Sequence, residues 1–102
     1  MKILVCGGRD YFDSEYLFEV LDYIHNEIRI TNVVNGAASG ADLLSSDWAN
    51  VNNIDSTEYP ADWDHYGRAA GPIRNQEMVD KEKDIDFALV FPSAIVTGKQ
   101  CY

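Results

Sequence analysis

A strand that runs straight into a helix through a glycine-rich loop is the clearest pattern in the sequence. Val33 and Val34 are β-branched and apolar, as in a buried strand. Gly36 and Gly40 then enclose three small residues, and residues 41–50 follow helical spacing. Such a loop allows close approach to the backbone, and the unpaired N–H groups that begin a helix favour an anion. A plain strand–helix turn would have the same pattern, so both interpretations stay open here.

The rest of the chain alternates between apolar runs and helical periodicity. Strands are predicted at residues 2–6, 32–35, 54–59 and 87–91, and helices at residues 14–29, 41–50 and 72–83. Short connections between such elements predict an α/β fold, with a parallel sheet of about four strands in the order 3-2-1-4 and helices on both faces. The third strand is polar, which is typical of a sheet edge. Residues 60–71 show no periodicity, and Gly71 is expected to cap the helix that starts at Pro72.

Length and hydropathy limit the class of protein. A chain of 102 residues, 46% of them hydrophobic, fits one globular domain over residues 1–102. No apolar run approaches the ~20 residues of a membrane span, and the first apolar run is too short for a signal peptide. We therefore expect a cytoplasmic protein with no membrane partner.

The charge restricts the partners. The 17 acidic and 8 basic residues give a net charge of −9. Long-range electrostatics then repel a phosphate polymer, which argues against a nucleic-acid partner. A small anionic ligand in a local pocket remains compatible, because backbone N–H groups act at close range.

The loops that follow the strands are expected to meet at one edge of the sheet. In open parallel sheets, ligands bind outside the carboxyl ends of the strands, beside the point where strand order reverses. We call this edge the rim; it comprises residues 7–9, 36–42 and 59–75 and Pro92. The predicted ligand-binding residues within it are Gly7, Gly8, Arg9, Gly36, Ser39, Gly40, Ala41, Asp42, Asp62, Trp63, Gly71, Arg74 and Asn75.

Three charged residues of the rim each allow two interpretations. Arg9 can contact a phosphate or stack on a base, or form a salt bridge with a neighbouring acid such as Asp10. Asp42 can bind a ribose hydroxyl or simply stabilise the helix dipole. Arg74 opposes the dipole of its own helix, which a bound anion or an acidic partner would explain. Asp62, with Asp64 and His65, matches no metal-binding spacing, so we expect no metal and no cofactor.

Four segments together resemble the YspA-type (YAcAr) branch of the SLOG superfamily, over about residues 3–92. They are GGRDY (7–11), NGAASGAD (35–42), YPADW (59–63) and YGRAAGPIRNQEM (66–78). The superfamily has a Rossmann-like three-layer fold, and it includes the LOG phosphoribohydrolases, which cleave nucleoside monophosphates, and the DNA-processing protein DprA. The resemblance therefore implies a nucleotide or nucleotide-derived small molecule as ligand and, if the protein is active, a nucleotide N-glycosidase-like hydrolase.

One departure from this resemblance affects the expected activity. LOG enzymes carry Pro-Gly-Gly-x-Gly-Thr-x-x-Glu after the fourth strand, which supplies a second phosphate loop and a catalytic glutamate. This chain has PSAIVTG at residues 92–98 and no matching glutamate. We therefore expect little or no hydrolysis of nucleoside monophosphates. The alternatives are a non-enzymatic interaction module of degenerate SLOG fold and, against the charge, a binder of single-stranded DNA.

The end of the sequence adds one expectation about assembly. Residues 93–102 are too few for another complete strand–helix unit, so the fold is expected to be short at its C-terminal side. The apolar fourth strand would then lack its usual cover, which predicts a homo-oligomer.

Overall fold

One parallel sheet organises residues 1–92, the part of the chain that the computed structural model describes. Its strands are β1 (Lys2–Gly7), β2 (Asn32–Asn35), β3 (Asp55–Glu58) and β4 (Phe87–Phe91). They lie in the order β3-β2-β1-β4, and each neighbouring pair is parallel. The predicted order is confirmed, and the polar strand β3 lies at the sheet edge as expected.

The helices lie close to the predicted positions, with one shift that matters for the site. They are α1 (Ser14–Glu27), α2 (Ala41–Val51), α3 (Trp63–Tyr66) and α4 (Ala70–Lys81). The helix α4 begins two residues earlier than predicted, with Ala69 at its N-cap. The assignment of Gly71 as a cap is therefore wrong, because Gly71 and Pro72 both lie within the first turn.

Residues 60–71 are more ordered than their lack of periodicity indicated. They hold α3 and a 3₁₀ turn over Gly67–Ala69. Asp62 begins α3 by accepting a hydrogen bond from the His65 backbone N–H at 3.1 Å. A helix of four residues spans little more than one turn, so it is too short to show a periodic apolar face.

Helices cover both faces of the sheet. Ile3 and Val5 of β1 are fully buried in one core cluster with Leu17 and Leu21 of α1 and Trp48 of α2, which places α1 and α2 on the same face. Lys2 points to the opposite face, since side chains alternate along a strand. Its ammonium lies 2.8 Å from the carboxylate of Glu82, the C-cap residue of α4. The arrangement is the three-layer, Rossmann-like fold that the resemblance implied.

The strand β4 forms the other edge of the sheet. Its residues Phe87 and Val90 are 40% and 50% exposed. The expected homo-oligomer concerns this strand and stays a prediction. Residues 93–102, with most of the segment that departs from the LOG motif, lie outside the described residues. Among the helices of residues 1–92, none combines the length and apolar character that crossing a bilayer requires.

Candidate functional site

The ends of the four strands are joined in two pairs at the rim by backbone hydrogen bonds. The N–H of Gly8, just after β1, donates to the carbonyl of Phe91 at the end of β4 at 3.2 Å. The N–H of Tyr59, just after β3, donates to the carbonyl of Asn35 at the end of β2 at 2.9 Å. These hydrogen bonds therefore fix the positions from which the loops with the predicted site residues begin.

Two buried charged side chains hold the peptide groups of Gly36, the first residue of the glycine loop (residues 36–40). Asp42 accepts hydrogen bonds through Oδ2 from the N–H of Gly36 at 3.0 Å and of Ala38 at 3.3 Å. Arg74, the fifth residue of α4, donates from Nη1 to the Gly36 carbonyl at 2.5 Å. A Cβ at Gly36 would collide with the Arg74 guanidinium and lie 3.0 Å from Asp42 Oδ2. Glycine is therefore required here by close packing, and the loop is held from both sides.

This arrangement places opposite charges in a low-dielectric environment. Asp42 is 1% exposed and Arg74 is 3% exposed. Burial raises the pKa of Asp42 to about 6, against the opposing effects of the two loop amides and of Arg74. Burial also lowers the pKa of the Arg74 guanidinium below its ordinary value. Within residues 1–92, Oδ1 of Asp42 and Nη2 of Arg74 are buried without a hydrogen-bond partner, so the pair retains one acceptor and one donor.

Asn35 is a third residue that shapes the glycine loop, and sequence reasoning missed it. Its Oδ1 accepts from the N–H of Ala37 at 2.8 Å, and its Nδ2 donates to Ser45 at 3.1 Å and Ser46 at 2.8 Å. Ala37 has φ +57°, a left-handed conformation that costs a non-glycine residue energy. The available signal was an asparagine directly before a loop, because asparagine often bonds the backbone two residues on.

The second half of the glycine loop packs against the loop after β1. Ser39 donates from its hydroxyl to the Arg9 carbonyl at 3.0 Å. Gly40 has φ +84°, and a Cβ there would collide with the Gly8 carbonyl oxygen. Ala41 is fully buried, and a Cβ at Gly7 would lie 2.9 Å from the Ala41 Cβ. Small residues on both sides therefore allow the start of α2 to sit directly on the end of β1.

The segment after β3 adds an aromatic side chain to the rim. The Arg9 guanidinium lies over the Trp63 ring, with 5.4 Å between Cζ and the ring centroid. Trp63 is 45% exposed and packs beside Gly71, where a Cβ would lie 3.4 Å from the ring. Asp62 is exposed and caps α3, and Asn75 accepts a hydrogen bond from Nε of Arg74 at 2.8 Å.

The structure thus connects most of the predicted site residues through direct contacts. The glycine loop, the loop after β1 and the start of α4 meet through Ser39, Arg9 and Arg74. Asp62 is the peripheral member, since the contact described for it is local to α3. Asp42 lies in the first turn of α2 as expected, and its carboxylate also binds the glycine loop, a contact that neither interpretation included. Ligand contact by these residues stays a prediction.

Sequence comparisons relate this chain to known proteins. The sequence profile described as "YspA, cpYpsA-related SLOG family" matches residues 1–66, which contain β1, the glycine loop and α3. The Gene 61 protein of Mycobacterium phage D29 is 33% identical to this chain over 97 residues, which cover 89% of this chain and 76% of that protein. No solved structure matches significantly. On the profile match and this identity, the chain belongs to the YspA, cpYpsA-related SLOG family.

Proposed function

We propose that the rim binds a nucleotide-derived small molecule, with its phosphate at the junction of the glycine loop and α2. This proposal depends on the two hydrogen bonds by which the side chains of Asp42 and Arg74 hold the backbone of Gly36. Burying two charged side chains to hold the backbone of one residue costs stability, and such costs concentrate at functional sites. Membership of the SLOG family supports a nucleotide-related ligand.

The hydrogen bonds of the loop support this proposed position of the phosphate. The amides of Gly36, Ala37 and Ala38 already donate to Asp42 and Asn35. The donors proposed for the ligand are the N–H groups of Ser39 and Gly40, directly before α2. Ala41 and Asp42 are buried, and the Leu43 N–H donates to the Ala38 carbonyl at 3.2 Å. An anion there also gains from the positive end of the helix dipole. The hydroxyl of Ser39 lies at the same position, beside the backbone of Arg9.

Net charge shapes the size of the ligand that this site can take. The chain carries −9, so a long phosphate polymer is repelled, whereas backbone donors act within a few ångströms. The proposal is therefore a mononucleotide or a similarly small derivative. It includes no catalytic residue.

The experiment begins with a thermal-shift screen of AMP, ADP-ribose and cyclic AMP against the full chain. Nuclear magnetic resonance on ¹⁵N-labelled protein then locates the binding, which is practical for a chain of 11.5 kDa. AMP should shift the backbone amides of residues 39–43 together with those of Gly8 and Arg9. Amides of β3, at the far sheet edge, serve as the internal control and should stay in place. If the resonances of the rim amides do not shift at a high concentration of AMP, the proposal is overturned.

The second candidate function is a non-enzymatic interaction module, and one surface feature favours it. An apolar groove runs between α1 and β4, lined by Tyr23, Ile24, Ile28, Phe87 and Leu89. It lies away from the glycine loop, so spectra of the free protein recorded at rising protein concentration test this function separately. Shifts confined to the groove residues, together with no AMP-induced shifts at residues 39–43, would favour the interaction module.

A further inference from the structure

Two flat side chains from different loops meet beside the glycine loop. Arg9 follows β1, and Trp63 begins α3. The guanidinium lies 5.4 Å from the centroid of the indole, which is within the range of a cation–π contact. Both residues are exposed, and Trp63 has 45% of its surface open. A tryptophan left this open at the rim offers a large flat surface to a ligand.

The backbone connects this pair to the proposed phosphate position. The carbonyl of Arg9 accepts the Ser39 hydroxyl at 3.0 Å, so the arginine is held next to the start of α2. The Trp63 ring packs beside Gly71, three residues before Arg74 on the same helix. The flat surface therefore lies next to the glycine loop on the side of Arg9 and next to the start of α4 on the side of Trp63.

We propose that Arg9 and Trp63 form a stacking surface for the base of the ligand, an inference that rests on the proposed function of the rim. Aromatic rings and guanidinium planes both stack on nucleobases, because every base has a polarisable face. Stacking of this kind distinguishes ligands that have a base from those that do not, and its contribution to affinity increases with the size of the base. The site should therefore prefer nucleotides to sugar phosphates, and purines to pyrimidines.

Calorimetry with two probes tests this inference. AMP and ribose 5-phosphate share the phosphate and the sugar, and only AMP has a base. Wild-type protein should bind AMP about ten- to a hundredfold more tightly than ribose 5-phosphate. Trp63→Leu should abolish that preference and leave the affinity for ribose 5-phosphate unchanged. Tyr66→Leu is the matched control, since Tyr66 is also 45% exposed and lies on the same helix, and it should bind both probes as wild type does.

Fluorescence gives a readout that a purely structural role of Trp63 would not produce. The chain has two tryptophans, and Trp48 is fully buried whereas Trp63 is half exposed. AMP should quench the emission of Trp63, ribose 5-phosphate should not, and Trp63→Leu should lose the quenching while its circular dichroism stays native. Equal affinities for the two probes, with no quenching, would overturn the stacking surface and leave the proposed function intact. Binding of neither probe would overturn both.

Discussion

Arg74 donates a hydrogen bond of 2.5 Å to the carbonyl oxygen of Gly36, a residue 38 positions earlier in the chain. The contact brings the start of α4 against the glycine loop. It also gives a buried cation a hydrogen-bond partner. Because α4 begins at Ala70, Arg74 is its fifth residue and lies beyond the first turn, where the dipole would disfavour a cation. The carboxylate of Asp42 holds the N–H of the same Gly36, so the two opposite charges share one residue between them.

Removal of the Arg74 guanidinium should destabilise the fold. Arg74→Met leaves the Gly36 carbonyl unpaired and the buried Asp42 without its cation, which should lower the free energy of unfolding by about 3 kcal/mol. Arg68→Met is the matched control, because Arg68 is exposed on the preceding 3₁₀ turn, and it should cost less than about 0.5 kcal/mol. Urea unfolding of both variants gives the comparison. Similar small losses in the two would show that Arg74 does not support the loop.

Substitutions at two glycines with positive φ allow the cost of backbone strain to be measured apart from the cost of steric collision. Gly40 has φ +84° and Gly67 has φ +56°, but only at Gly40 would a Cβ meet neighbouring atoms, the carbonyl groups of Gly8 and Arg9. Gly67→Ala should cost about 1–2 kcal/mol, the penalty of the left-handed conformation. Gly40→Ala should cost about 3 kcal/mol or more, because backbone atoms must also move. Thermal unfolding of both variants measures the difference, and equal costs would contradict the packing described at Gly40.

The burial of Asp42 should make stability depend on pH. Its pKa rises from 3.8 unfolded to about 6 in the fold, so the native state binds this proton more tightly than the unfolded state. Ionisation of Asp42 therefore costs stability as the pH rises from about 4 to 6, by up to about 3 kcal/mol. Asn cannot ionise, so the stability of Asp42→Asn relative to wild type should increase by that amount between pH 4 and pH 7. Urea unfolding at both pH values checks this, and a pH-independent difference between the two proteins would contradict it.

The protein should release little or no base from nucleoside monophosphates. LOG enzymes require a glutamate after the fourth strand, and residues 92–98 do not supply the motif that carries it. Chromatography of AMP incubated with the protein should therefore show no adenine above the buffer control, while a LOG phosphoribohydrolase run in parallel releases it. Adenine that rises in proportion to protein, and is lost in Gly40→Val, would show that this chain has its own catalytic group.

Sequence reasoning found the elements that local patterns specify and missed those that are short or depend on contact. The strand β2 and the start of α2 lie where predicted, since a β-branched run and glycine punctuation mark them. The helix α3 was missed because four residues carry no periodicity. Proline favours the first helical position, which predicts that α4 starts at Pro72. The 3₁₀ turn over Gly67–Ala69 instead lets the helix begin at Ala70.

The sequence by itself determined the alternation of strands and helices, the order of the sheet and the positions of the loops at its carboxyl edge. Periodicity and turn residues are local properties, and the rules of parallel connection leave few arrangements for them. Only the tertiary structure decided what the polar residues of these loops do. Asp42, Arg74 and Gly36 interact because two loops and a helix end meet in space, and burial then sets the charge balance of the pair. Burial and long-range contact are properties of the packed chain, and no local pattern encodes them.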